Sequence, residues 1–222
     1  MKTAFVNILL NILFYPSPEI MITKEEEKQF NDLFESSSEK MNKLVDYNLS
    51  SPKYKFLHYL SHHKSFVLHG SNNKQIDSFE PREQTLFNGK KTTAVFATKD
   101  PIWSSFYATL DKKKIIGDIR NGSISTKKKK MFHFYSLTKP TLLNDPWISG
   151  MIYLLPEDSF SHIGGNDTIQ FNEWISMTAV TPIVKIELEP SDFYFRNKVA
   201  SHRSNESIIQ SWFFYKLRTL YK

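Results

Sequence analysis

Apolar positions recur at helical spacing early in the chain and at strand spacing after it. Phe30, Leu33, Phe34, Met41, Leu44 and Val45 follow a helical period broken at Ser36-Ser37-Ser38. Thr23-Lys24-Glu25-Glu26 opens that stretch as a capping box, in which hydroxyl and carboxylate each accept from the other residue's backbone N–H. Ser51-Pro52 predicts a second helix with Pro52 at the first position, where no N–H is needed, and with Tyr54, Leu57 and Leu60 on one apolar face. Residues 65–68 predict a short strand ending at His69-Gly70. Residues 76–82 read as extended with a turn at Glu80-Pro81, Asn88-Gly89-Lys90-Lys91 as a turn, and residues 92–97 as a strand. Asp100-Pro101 then starts a helix to about Leu110, with Asp100 capping and Pro101 at N1. The second half predicts strands at 131–137, 151–155, 174–177 and 183–188, punctuated by Asn144-Asp145-Pro146 and Gly164-Gly165-Asn166-Asp167. A helix over 204–220, with Ser204 as N-cap, closes the chain. The fold class is therefore α+β.

Composition supports a packed domain. The chain has 222 residues, 40% of them hydrophobic, which is enough apolar material to exclude global disorder. With no cysteine there is no disulfide framework, thiolate metal site or thiol nucleophile, and a reducing, cytoplasmic compartment is compatible with that. The net charge of +6 is concentrated in Lys112-Lys113-Lys114 and Lys127-Lys128-Lys129-Lys130. These runs read either as solvated loops or as a nucleic-acid contact. No aromatic residue interleaves the second run, which weakens a specific nucleic-acid interface. The stretch from Ala4 to Tyr15 is apolar but too short to span a bilayer. With Lys2 as its one leading charge and no small-x-small site after it, residues 1–20 read as a weak leader or as lying ahead of a true start at Met21.

Several chemistries find no footing. His58-x-x-x-His62 has the spacing of a zinc pair, but no Glu follows His58 and a polar helix face accounts for it, so no metal is expected. There is no GxGxxG, P-loop or G-x-S-x-G pattern.

What remains is an ordered set of three segments: Leu68-His69-Gly70-Ser71 at a strand end; Val95-Phe96-Ala97-Thr98 leading into a helix with Trp103-Ser104-Ser105-Phe106-Tyr107; and Phe171-Asn172-Glu173-Trp174-Ile175-Ser176 at a late strand. In these residues the chain resembles the poly(ADP-ribose) polymerase-like branch of the ADP-ribosyltransferase superfamily. With Phe96 aligned to that branch's strand tyrosine, Ser104 and Tyr107 fall on its nicotinamide-binding Ser and Tyr without a gap. Asn172-Glu173-Trp174-Ile175 is similar to its Asn-Glu-Tyr-Ile strand. The resemblance covers residues 66–192. It implies a split antiparallel β-sheet core; residues 1–64, read from their own pattern as an N-terminal helical layer, and the C-terminal helix fall outside it, and the catalytic domain is taken as residues 65–222 with that helix included. It also implies NAD as substrate, with Glu173 catalytic and His69, Gly70, Ser71, Phe96, Ser104 and Tyr107 binding NAD. Arg82 can reach the pyrophosphate, since a guanidinium suits bidentate phosphate contacts.

The implied activity is that of an NAD-dependent ADP-ribosyltransferase or NAD glycohydrolase, for instance a bacterial or phage effector, acting on an unidentified protein or nucleic-acid acceptor. Two departures stand out. Phe96 lacks the tyrosine hydroxyl. Phe171 stands where arginine- and asparagine-modifying relatives carry Glu or Gln, which argues against those acceptors. The alternatives are a basic nucleic-acid-binding protein and a non-catalytic interaction protein that retains the fold.

Overall fold

The computed structural model describes residues 2–38, 42–86, 89–126, 130–165 and 169–220. Two helices cover one side of the chain's first half. In α2 (Lys24–Ser38) the capping box forms as the sequence predicts: Thr23 N–H donates to Glu26 Oε2 at 3.0 Å and Glu26 N–H to Thr23 Oγ1 at 3.2 Å. In α3 (Lys53–His63) Pro52 serves as the N-cap rather than the first helical residue. Phe30, Phe56, Leu57 and Leu60 from these helices are buried in one cluster with Leu68, Ile152 and Ile186.

That cluster rests on the first of three sheets. It runs β2 (Lys43–Leu44), β12 (Val184–Leu188), β8 (Gly150–Pro156) and β3 (Phe66–Ser71). The helical period extrapolated to Leu44 and Val45 is overruled here. Lys43 and Leu44 pair in parallel with Val184 and Lys185, because an open strand edge offers backbone partners that a lone helical turn lacks. Met41 lies outside the described residues.

The second sheet orders β4 (Arg82–Thr85), β5 (Lys91–Ala97), β11 (Glu173–Ser176) and β9 (Ser161–Ile163). Of the extended segment expected over 76–82, Phe79 joins an isolated bridge to Val180 and Arg82 opens β4 opposite Ala94. The third sheet orders β1 (Tyr15–Pro16), β7 (Met131–Thr138), β6 (Ile119–Thr126) and β10 (Ile169–Phe171), with β13 (Ala200–His202) also on β7. The short α5 (Lys139–Leu143) follows β7.

Helix α4 (Pro101–Thr109) lies among the sheets. Asp100 caps it as expected, its Oδ1 accepting from Ile102 N–H at 2.9 Å and Trp103 N–H at 3.3 Å. Two glycines let it approach. A Cβ on Gly70 would stand 2.0 Å from Ser104 O, and one on Gly150 1.8 Å from Ala108 O. Any side chain there would displace helix backbone, so both positions require glycine for packing.

The chain's ends meet. Helix α1 (Lys2–Leu13), in the stretch read as a weak leader ahead of the N-terminal helices, packs on α6 (Ile208–Leu220), with the Phe14 and Trp212 rings 5.8 Å apart and edge-on. The closing helix starts later than expected, and its cap is Ser207 rather than Ser204. Ser207 N–H donates to Gln210 Oε1 at 2.9 Å and Gln210 N–H to Ser207 Oγ at 3.2 Å, so a Ser-x-x-Gln box displaces the earlier serine. No described helix is long and apolar enough to cross a membrane.

Candidate functional site at the split between two strands

Among the described residues, one backbone bridge joins β3 of the first sheet to the end of β5 in the second. Leu68 N–H donates to Thr98 O at 2.7 Å and Thr98 N–H to Leu68 O at 3.0 Å, forming an isolated antiparallel bridge. Beyond it β3 and β5 separate. Alternation along a strand then fixes what faces the gap. Leu68 spends both backbone groups on Thr98, so Gly70, two residues on, turns its own N–H and C=O to the same side, away from β8.

Across the gap Phe96 O receives a hydrogen bond from His69 Nδ1 at 2.6 Å. A carbonyl only accepts, so Nδ1 carries a proton. Burial holds the His69 pKa down to about 4, which leaves Nε2 as an unprotonated acceptor at neutral pH. The His69 ring packs 4.5 Å from Phe79. Arg82 lies opposite Ala94 on the same edge of β5. The charges of Lys112 and Arg82 both press on His69, so two cations lie near this end of the gap. Ser71 is turned to a local task, its Oγ accepting from Asn73 N–H at 3.1 Å.

The face of the second sheet carries the other residues. β11 pairs with β5 so that Ile175 faces Phe96 and Trp174 faces Ala97. Trp174, Ala97 and Val95 turn to a hydrophobic cluster with Val67 and Tyr153. Glu173, Ile175, Phe96 and Thr98 therefore occupy the opposite face, which is the face of Gly70 and α4. The side chain of His69 leaves the other face and reaches the split from behind.

A polar chain across β6 ties α4 to β11. Tyr107 OH donates to Asn121 Oδ1 at 2.9 Å, and Trp103 Nε1–H to the same oxygen at 2.6 Å. Two residues along β6, Ser123 O accepts from Asn172 N–H at 3.3 Å. Asn172 Oδ1 in turn accepts from Lys99 N–H at 3.0 Å, just ahead of α4. Tyr107 and Asn172, the residue before Glu173, are thus anchored to neighbouring points of one strand. Burial raises the Tyr107 pKa to about 12, and the Glu173 charge adds to that rise.

Ser104 is the most enclosed of the group. It is 1% exposed and its hydroxyl donates to Pro101 O at 3.0 Å within the helix. Asn121 and Trp103 went unassigned from sequence. Asn121-Gly122 has the composition of a turn, and only the pairing of β6 with β7 reveals a strand through it.

A cavity of about 320 Å³ opens elsewhere, at the N-terminus of α4, lined by Ser17, His58, His62, Lys99, Asp100 and Lys130 among others. His69, Gly70 and Tyr107 do not line it. His133, fully buried, links two of these lining residues, with Nε2 2.6 Å from Ser17 Oγ and Nδ1 3.5 Å from Asp100 Oδ2. The His58 and His62 rings stack at 4.0 Å, and burial lowers both pKa values, His58 to about 4. Among the described residues no three His, Asp or Glu side chains are grouped to hold a metal ion.

The lysine runs differ in what is seen of them. Lys112–Lys114 forms a 3-10 turn capped by Asp111, whose Oδ1 accepts from Lys113 N–H at 3.0 Å. Of the second run, Lys127, Lys128 and Lys129 lie outside the described residues. Compared with known protein families, curated proteins and solved structures, the chain matches none of them.

Proposed function

We propose that the chain is an NAD-dependent ADP-ribosyltransferase or NAD glycohydrolase with Glu173 as its catalytic carboxylate. One observation carries the proposal. Gly70, Phe96 and Glu173, which stand far apart in sequence, lie on the side of the split against which α4, the helix of Tyr107, packs at Gly70. In this reading the outward N–H and C=O of Gly70 hold the nicotinamide carboxamide, and the Tyr107 ring packs on the pyridine. Phe96 contributes apolar contact and no hydroxyl.

Cleavage of the nicotinamide–ribose bond builds positive charge on the sugar, and a fixed carboxylate stabilises that charge. Glu173 takes this part by accepting from the ribose 2′-hydroxyl and facing the anomeric carbon. His69, with Nδ1–H committed to Phe96 O, offers Nε2 to a hydroxyl of the adenosine ribose. Arg82 and Lys112 supply the positive charge a pyrophosphate requires. Ser71 has the weakest claim, since its hydroxyl already serves the adjacent turn. The acceptor is a protein or nucleic acid, and Lys112–Lys114 offers phosphate contacts near the gap.

The enclosure of Ser104 favours a second reading, a chain that keeps this frame for interaction without turnover. Incubation with nicotinamide-labelled NAD separates the two. Wild type is expected to release nicotinamide, and Glu173→Gln to do so roughly a hundredfold more slowly, the scale of losing one transition-state electrostatic contact. Equal release from both removes Glu173 from its role. No release from a folded wild type leaves the interaction reading.

A further inference from the structure

The outer faces of α1 and α6 break the usual pattern of a surface helix. Such a helix buries one apolar stripe and shows charge on the other side. α1 does bury Leu10 and Leu13, and α6 packs inward through Tyr215. Yet the outward stripe of α1 is Phe5, Ile8 and Ile12, and that of α6 is Ile209, Phe213 and Leu217. Phe5 is 68% exposed and Phe213 66%. Their spacing is helical in both cases, and the two helices are in contact, each leaving a second apolar stripe exposed to water. Apolar surface on this scale marks a contact with something else.

Charge decides what that contact is. Neither helix contains an acidic residue; their charged residues are Lys2, Lys216 and Arg218. Lys216 Nζ donates to Asn11 O on α1. Exposed Lys130 stands near Lys216, whose pKa is lowered by burial and by the Lys130 charge. The β6 end that leads to this lysine is fastened to α1, Thr126 Oγ1 donating to Asn7 Oδ1 at 2.9 Å. Lys198 joins Lys216 over the Tyr15 ring, each ammonium 5.1 Å from its centre. An apolar surface with cations beside it and no carboxylate within its helices matches the acyl boundary and phosphate layer of an anionic bilayer. A second copy of the chain fits less well, since a two-fold interface would bring these same lysines toward their own kind.

We propose that the α1–α6 face docks the protein on anionic membrane surfaces. The helices lie in the interface without crossing it, their outward stripes entering the acyl boundary and Lys130 and Lys216 meeting lipid phosphates.

The test is flotation of the full chain with vesicles of phosphatidylcholine alone and of phosphatidylcholine mixed with phosphatidylserine. The wild type is expected to float with the mixed vesicles and to be released by added salt. Ile8→Ser with Phe213→Ser removes only outward side chains and is expected to weaken partition at least roughly tenfold, since each loses the burial of a large apolar group. Lys130→Gln with Lys216→Gln is expected to abolish the preference for phosphatidylserine. Sedimentation velocity on the same variants guards the alternative. No flotation with either vesicle overturns the proposal, as does a wild-type dimer that Phe213→Ser dissociates, which assigns the face to a second copy.

Discussion

At the residue scale, Gly70 has two duties that its sequence neighbours cannot share. Its backbone faces the split, and its missing side chain makes room for Ser104 O. Gly70→Ala forces a carbon to within 2.0 Å of a helix carbonyl that has no rotamer by which to yield. The expected cost is about 3 kcal/mol, the upper range for overpacking. It is read as a lower urea midpoint with unchanged slope, and it separates the packing duty from any loss of NAD binding.

The neighbouring histidine teaches a different point. His69 reads from sequence as a strand-end residue, and nothing there says which of its nitrogens carries the proton. The Phe96 carbonyl assigns the proton to Nδ1, and burial keeps the ring neutral, so its use is as an acceptor. A sequence names the side chain, but the tautomer is set by a residue on another strand.

At the element scale, local signals were legible and long-range ones were not. The box at Thr23–Glu26 and the Asp100 cap are satisfied within a few residues, so the sequence displays donor and acceptor together. β6 is held by seven registered partners on β7, and nothing local in Asn121-Gly122-Ser123 announces them. The same gap separates the site's parts from its geometry. The three segments carrying Gly70, Tyr107 and Glu173 are visible in order, but that Glu173 shares a face with Phe96 depends on the register of β11 with β5.

α6 offers an electrostatic test at this scale. Arg218 binds Glu206 through both nitrogens, at 2.6 and 2.8 Å, and Ser211 donates to the same carboxylate. The Arg218 hydrogen bond is the largest cause holding the Glu206 pKa down to about 2. A depressed carboxylate contributes stability that is present above its unfolded pKa and lost as pH falls through the folded value. The loss is therefore expected between the usual carboxylate range, near pH 4.5, and about pH 2. After allowance for solvent near the surface, its size is on the order of 1 kcal/mol. Glu206→Gln is expected to lower stability at neutral pH and to flatten the acid limb of the denaturation profile. An unchanged limb removes the ion pair from the account.

At the scale of the whole molecule, the two proposals rest on separate surfaces. The split between β3 and β5 gathers residues from three distant segments around one gap. The α1–α6 face presents side chains that the fold does not use. Binding to vesicles and release of nicotinamide are expected to respond to different variants: Ile8→Ser with Phe213→Ser leaves turnover intact, and Glu173→Gln leaves flotation intact. Loss of both by either variant points to a shared fold defect rather than to two sites.

The close contacts of α4 carry a consequence for time as well as space. Gly70 and Gly150 bring their strands against Ser104 and Ala108 of this one helix, and its other side is covered by Tyr135 and Phe193. Its amide protons then have no local route to water. They are expected to exchange with deuterium only when the entire domain unfolds, at a rate that tracks global stability, while the exposed ends of α1 and α6 exchange through fraying. Exchange measured by mass spectrometry decides this. If α4 labels as early as α6, the helix opens on its own, and the gap beside Gly70 widens by moving that wall; if it labels last, access comes from the opposite wall, where β4 and the Phe79 bridge hold fewer bonds.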